Sequence, residues 1–352
     1  MADQNAKLGV LLVNLGTPDS PDVSDVRAYL REFLMDPRVI DIPYPARFLL
    51  VNGVIAPFRA AQSAHAYRSI WLPEGSPLAT ISQQVAEELK TRLGVPVELA
   101  MRYRNPSISS ALVRLAGLGV NAITVLPMFP HYAMSSYESA IERVKEFARK
   151  LAPHAALRIV APYFDAPAYI RSLAASVMPY LPEVDHLLFS FHGVPERHIR
   201  RADPTGCHCL RRADCCASDS PARATCYRSQ CLHTMAAVAH EAGLQEGRYS
   251  YAFQSRLGRD RWLQPFTVEA LTQLARNGVR KLAVMCPSFT ADCLETLEEI
   301  GIRGRNTFRE AGGDSLTLVP CLNTHPMWLD ALARLARDAA GAGPTPLAET
   351  RP

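Results

Sequence analysis

Short apolar runs alternate along the chain with longer stretches of helical periodicity. LGVLLVNLG (8–16) reads as a buried strand running into a loop. NAITVLPMFP (121–130), LRIVAPYF (157–164), DHLLFSFHG (185–193), YSYAFQS (249–255), KLAVMCPSF (281–289) and LTLVPCLN (316–323) follow the same plan. Helical patterns fall between them at 81–93, 107–118, 136–151, 267–277 and 327–340. Such alternation predicts parallel sheets covered by helices, with ligands at the carboxyl ends of the strands. The pattern runs once to about residue 165 and again from about 180 to 325, and Leu118-Gly119-Val120 is echoed by Asn277-Gly278-Val279. The expected architecture is α/β: two similar Rossmann-like lobes, 1–165 and 166–340, with an active-site cleft between them and a flexible tail at 341–352.

Two segments depart from this plan. Residues 30–60, LREFLMDPRVIDIPYPARFLLVNGVIAPFRA, are unusually apolar for a connection and read most simply as a packed helix pair. Between Arg197 and Gln230 the periodicity stops, and the stretch reads as an insertion, 200–231, with its own reason to be ordered.

Composition narrows the functional classes. Hydrophobic residues at 48% and charged residues at 20% suit an ordinary globular chain, and a net charge of +4 leaves no broad nucleic-acid footprint. The arginines of the insertion are local and lack stacking aromatics. MADQNAK at the start has no signal-peptide pattern and no apolar run is long enough to span a bilayer, so the expectation is a cytoplasmic protein. In a reducing compartment nine cysteines do not make a disulfide framework. Cys286, Cys293 and Cys321 read as small buried hydrophobes. The other six, Cys207, Cys209, Cys215, Cys216, Cys226 and Cys231, are too dense for a loop of low apolar content unless they order it by binding metal. Zinc and a [2Fe–2S] cluster both take four thiolates, and His208 can replace one of them at zinc.

Two strand ends carry candidate chemistry. His192 follows an apolar strand and precedes Gly193, so its imidazole projects where the chain turns. CPSFTADCLETLEEI (286–300) enters a strongly acidic helix start, with Asp292, Glu295, Glu298 and Glu299 within about two turns. Capping of the helix dipole accounts for acids there. Like charges on one face also suit a cation path or a proton relay.

Seven motifs, in order, resemble those of the ferrochelatases: LLVNLGTPDSP (11–21), YRSIWLPEGSPL (67–78), MRYRNPSI (101–108), LPMFPHYAMSSYES (126–139), SFHGVPER (190–197), FQSRLGRDRWLQPFT (253–267) and CPSFTADCLETLEEI. The wording is nearest to the type of Gram-negative bacteria. The resemblance implies insertion of ferrous iron into a porphyrin, with His192 and Glu295 handling the metal and the protons. It implies porphyrin contacts from Arg102, Tyr103, Tyr132, Trp262 and Phe289, and an acidic row continued by Glu299. Cys293 stands where many relatives have His. Some relatives carry a [2Fe–2S] cluster, which makes Cys207, Cys215, Cys216 and Cys226 the expected ligands, zinc being the alternative. Segment 30–60 becomes a lip over the active site with weak peripheral membrane contact, at the inner face of the cytoplasmic membrane. Asp19, where coproporphyrin-using relatives tend to have Tyr, favours protoporphyrin IX. The competing readings are a coproporphyrin ferrochelatase, a chelatase for another tetrapyrrole and metal, and a non-catalytic iron–sulfur or porphyrin-binding protein.

Overall fold

The computed structural model describes residues 7–258 and 260–343. Eight strands form two four-stranded parallel sheets. The first contains β1 (Leu8–Gly16), β2 (Val97–Tyr103), β3 (Ala122–Pro127) and β4 (Ala156–Ile159) in the order β2-β1-β3-β4. The second contains β5 (His186–His192), β6 (Tyr249–Gln254), β7 (Lys281–Met285) and β8 (Ser315–Leu318) in the order β6-β5-β7-β8. The two orders are the same. In each sheet the first strand in the chain lies inside, and its apolar residues are almost wholly buried. The echo around Gly119 and Gly278 is one turn used twice: Val120 N–H donates to Leu115 O at 3.1 Å, and Val279 N–H to Leu274 O at 3.1 Å.

β2 escapes the hydrophobic pattern. Val97, Leu99, Ala100, Met101 and Tyr103 are buried, but Glu98 and Arg102 interrupt the run. The chain divides into two compact units. Among the described residues one holds 7–128, 135–161 and 328–343, and the other 129–134 and 162–327. The last helix, Pro326–Gly341, was expected with the second lobe, yet from Trp328 onward it belongs to the first unit. Trp328 is fully buried there, Asp330 pairs with Arg92, and Arg337 donates to Arg92 O at 2.8 Å. Beyond Gly343 the expected tail lies outside the described residues.

Segment 30–60 is more continuous than a helix pair. Helix Tyr44–Leu49 passes through a π-helical turn, Leu50–Ile55, into helix Ala56–Arg68. Val51, Ala56, Ala60 and Ala64 pack inward. Tyr44, Phe48, Leu49, Val54 and Phe58 remain exposed, Phe58 at 78%. The cysteine-rich insertion is mostly turns, bounded by helices Glu196–Arg201 and Tyr227–Glu241. No helix among the described residues is long and apolar enough to cross a membrane.

Candidate active site

The second unit brings the chemistry-bearing strand ends together. His192 is the last residue of β5, in register with Gln254 at the end of β6. Gly193 then turns the chain, its N–H donating to Gln254 O at 2.7 Å. A Cβ on Gly193 would sit 2.7 Å from that same carbonyl oxygen and 3.2 Å from the Trp262 ring, so only glycine permits the approach. His192 Nδ1 lies 2.6 Å from Gly193 O. A carbonyl only accepts, so Nδ1 carries a proton. The Phe289 ring meets the imidazole edge-on at 6.0 Å.

Glu295 is fixed from the same strand pair. Gln254 Nε2 donates to Glu295 O at 2.7 Å, and Ser190 Oγ donates to Gln254 Oε1 at 2.6 Å. One buried side chain therefore links the strand that ends in His192 to the short helix Leu294–Leu297 that carries Glu295. That helix widens into a π-helical turn, Glu299–Gly304, in which Arg303 N–H reaches back to Glu298 O at 2.9 Å. The Arg303 guanidinium also pairs with the Glu298 carboxylate. Glu299 accepts from both the N–H and the hydroxyl of Ser255, a residue in left-handed conformation at φ 66°. Burial pushes the Glu299 carboxyl above its usual range; the Ser255 hydrogen bond opposes it next in size, and the Glu295 charge adds a smaller upward push.

The other acids have structural work. Asp292 accepts from the Asn323 amide at 2.7 Å and from Thr296 Oγ1 at 3.0 Å, which builds the turn before the helix. Cys293 is the N-cap residue, and its thiol also contacts Glu295; burial first, then that neighbouring carboxylate, raise its pKa.

The expected porphyrin contacts divide. Trp262 and Phe289 flank Gly193 and His192. Tyr132 is half-buried, its N–H held by Gln230 Oε1 at 2.7 Å. Arg102 and Tyr103 lie in the first unit in a network the sequence did not announce. Arg102 pairs with Asp36 and donates to Ser139 Oγ at 2.7 Å, and Tyr103 OH donates to Asp36 at 2.9 Å. Tyr103 is fully buried and, as an inward residue of β2, holds Asp36.

In the insertion the Cys215 and Cys216 sulfurs are 4.0 Å apart, and the Cys226 thiol contacts those of Cys209 and Cys216. Cys207, expected in this group, is exposed with its sulfur 3.8 Å from Thr205 Oγ1. Cys209 takes its place, buried and pinned through its N–H to Asp203 at 2.8 Å. Arg228 donates to Cys216 Sγ at 3.6 Å. Among the described residues, no three His, Cys, Asp or Glu side chains are arranged to hold a metal ion.

These two sheets of one strand order form a two-lobed α/β fold that solved chelatases share. The solved structure described as SirB from Bacillus subtilis with Fe3+ matches at a TM-score of 0.56, covering 95% of this chain and 96% of that one at 12% identity. The sirohydrochlorin chelatase SirB from Bacillus subtilis subspecies spizizenii, in complex with cobalt, matches at 0.53 and 12% identity over 95% of each chain. That likeness carries the fold alone. Sequence carries the rest: residues 7–340 match the family model Ferrochelatase. Ferrochelatase of Azotobacter vinelandii is 53% identical over 332 residues, 93% of this chain and 98% of that protein. Ferrochelatase of Stutzerimonas stutzeri is 51% identical over 336 residues, 95% and 98%. The chain belongs to the ferrochelatase family, enzymes of haem biosynthesis that insert iron into a porphyrin.

Proposed function

We propose that the chain inserts Fe2+ into protoporphyrin IX, with His192 and Glu295 handling metal and protons. The observation that carries this reading is the His192 ring: its Nδ1–H is spent on Gly193 O, so in the neutral imidazole the lone pair lies on Nε2. Insertion requires iron to shed water and the macrocycle to release two pyrrole protons. A neutral imidazole near neutral pH ligates the ion or takes one proton. Glu295 ligates from the opposite side or passes a proton onward, and Glu299, whose carboxyl burial pushes above its usual range, continues the acidic row. Trp262 and Phe289 offer apolar walls beside that imidazole, and Arg102 contributes through the Asp36 network rather than as a free cation.

Two observations support the finer substrate. Position 19 is an acid, paired with Arg104 and accepting from Asn105 at 3.0 Å, where coproporphyrin users tend to carry Tyr. The exposed apolar side chains of 44–58 suit a sparingly soluble substrate and a shallow contact with a membrane surface.

The insertion is read as the seat of a [2Fe–2S] cluster on Cys209, Cys215, Cys216 and Cys226, whose thiols meet in pairs, Cys215 with Cys216 and Cys226 with Cys209 and Cys216, beside the Arg228 cation. A cluster there gives a loop of low apolar content its order; iron insertion itself moves no net electrons. Zinc on the same thiols is the alternative.

The experiment is anaerobic Fe2+ insertion with protoporphyrin and coproporphyrin in parallel. Haem from protoporphyrin, lost in His192→Ala while porphyrin still quenches protein fluorescence, supports the reading. Undiminished insertion by His192→Ala overturns it.

A further inference from the structure

We propose that Tyr227 is a positioning residue for His192. The inference rests on reading His192 as the residue that handles iron.

The β5–β7 ladder stops at the pair Phe189 and Met285, three residues short of His192. On that side β7 has already turned away, so neither peptide group of His192 has a strand partner there. Two side chains supply what the ladder does not. His192 N–H donates to Ser288 Oγ at 3.4 Å, and Tyr227 OH donates to His192 O at 2.8 Å. Ser288 Oγ and Tyr227 Oη lie 2.7 Å apart.

Tyr227 Oη has three hydrogen-bonding neighbours, His192 O at 2.8 Å, Ser288 Oγ at 2.7 Å and the Cys231 thiol, and the carbonyl decides where its proton goes. The His192 carbonyl only accepts, so Tyr227 spends its single proton on it. Ser288 must then donate to Tyr227, which leaves its own lone pair for the His192 N–H. The result is a closed ring: His192 N–H to Ser288, Ser288 to Tyr227, Tyr227 to His192 C=O. Both peptide groups of the residue that carries the imidazole are held, and only rotations within the side chain remain.

Tyr227 is itself immobilised. It is 5% exposed, the first residue of helix Tyr227–Glu241, and its ring packs edge-on against His131 at 5.8 Å. One turn on, Gln230 Nε2 donates to the carbonyls of Arg223 and Ala224 at 3.2 and 3.0 Å, which ties the helix start to the insertion. The residue before it is Cys226. The cysteine-rich loop therefore ends one peptide bond from the hydroxyl that orients His192.

Positioning errors of under an ångström lower rates without lowering substrate affinity. Tyr227→Phe and Ser288→Ala open the ring at different bonds. Each is expected to lower kcat for Fe2+ insertion about tenfold, with the porphyrin KM and the iron and sulfide content of the purified chain unchanged. Wild-type kcat in both variants overturns the proposal, as does a loss confined to porphyrin KM. If Tyr227→Phe does not fold, Ser288→Ala decides alone. His192→Ala is measured alongside. Insertion lost there, with both ring variants unimpaired, sinks this inference only; insertion retained there sinks the reading of His192 and this inference with it.

Discussion

The Gln254 amide donates to the backbone carbonyl of Glu295 at 2.7 Å while its oxygen accepts from Ser190, two residues before His192. Gln254 is 3% exposed, so neither bond is replaced by water when it is lost. Gln254→Leu leaves the Glu295 carbonyl buried without a donor, a cost of about 1–3 kcal/mol by urea unfolding. Gln254→Glu keeps the shape but gives up the donating N–H once ionised. Both variants are expected to lower the insertion rate by about tenfold or more, because Glu295 loses its fixed relation to the β5 strand end. A wild-type rate in Gln254→Glu shows that this bridge does not position Glu295.

Glu299 makes stability depend on pH in an uncommon direction for a carboxylate. Its folded pKa lies above its ordinary value of 4.5, first because it is buried. Between the two values the folded chain binds more protons than the unfolded one, so stability falls as pH rises through that window. Glu299→Gln removes the titration. The variant is expected to have a higher thermal midpoint than wild type near neutral pH, with the advantage shrinking as pH falls toward 4.5. An advantage that stays constant across that range contradicts the assignment.

His131 acts oppositely. Thr234 OH donates to Phe164 O at 2.7 Å, so Thr234 accepts from His131 Nε2, and the buried Nδ1 is left bare. Burial pushes this imidazole down to about 3 from its ordinary 6.5. Below pH 6.5 the unfolded chain takes up a proton that the folded chain refuses, so stability is complete above that pH and lost below it. The expected contribution is about 1.4 kcal/mol per pH unit, visible as the difference in slope between wild type and His131→Phe in unfolding experiments at pH 4–6. Equal slopes exclude it.

Much of this was legible in the chain because buried parallel strands are nearly continuous apolar runs. Seven of the eight strands showed themselves that way; β2 did not, because Glu98 and Arg102 cut its run. Helix Tyr227–Glu241 was hidden for a related reason. Its buried positions include Ser229, Gln230 and Thr234, so the face that packs inward is polar and leaves no hydrophobic period. His192 and Glu295 were singled out through motif likeness, while Gln254, Ser255 and Tyr227 make hydrogen bonds across 35 to 44 positions, which no local pattern records. The Tyr103 bond to Asp36 was hidden because an aromatic beside a strand-end arginine looks the same whether it lines a wall or caps a buried aspartate.

The cysteine assignment is the most readily tested. Asp203 is the organiser of the loop: its carboxylate accepts N–H bonds from Thr205 at 2.9 Å, His208 at 2.9 Å and Cys209 at 2.8 Å. Burial alone would raise its pKa, but these bonds hold it well below the carboxylate range. The carboxylate therefore keeps Cys209 turned toward Cys226 at any pH near neutral, while Cys207, two residues earlier, points to Thr205 and solvent. With the thiols binding a [2Fe–2S] cluster, wild-type chain purified anaerobically should carry about two iron and two acid-labile sulfide per chain. Cys207→Ser should retain them. Cys209→Ser should lose them, and Asp203→Ala should lose most of them although it removes no thiol. Sulfide lost in Cys207→Ser but kept in Cys209→Ser would reverse the assignment, and a colourless wild-type chain holding zinc alone would replace the cluster with the simpler metal.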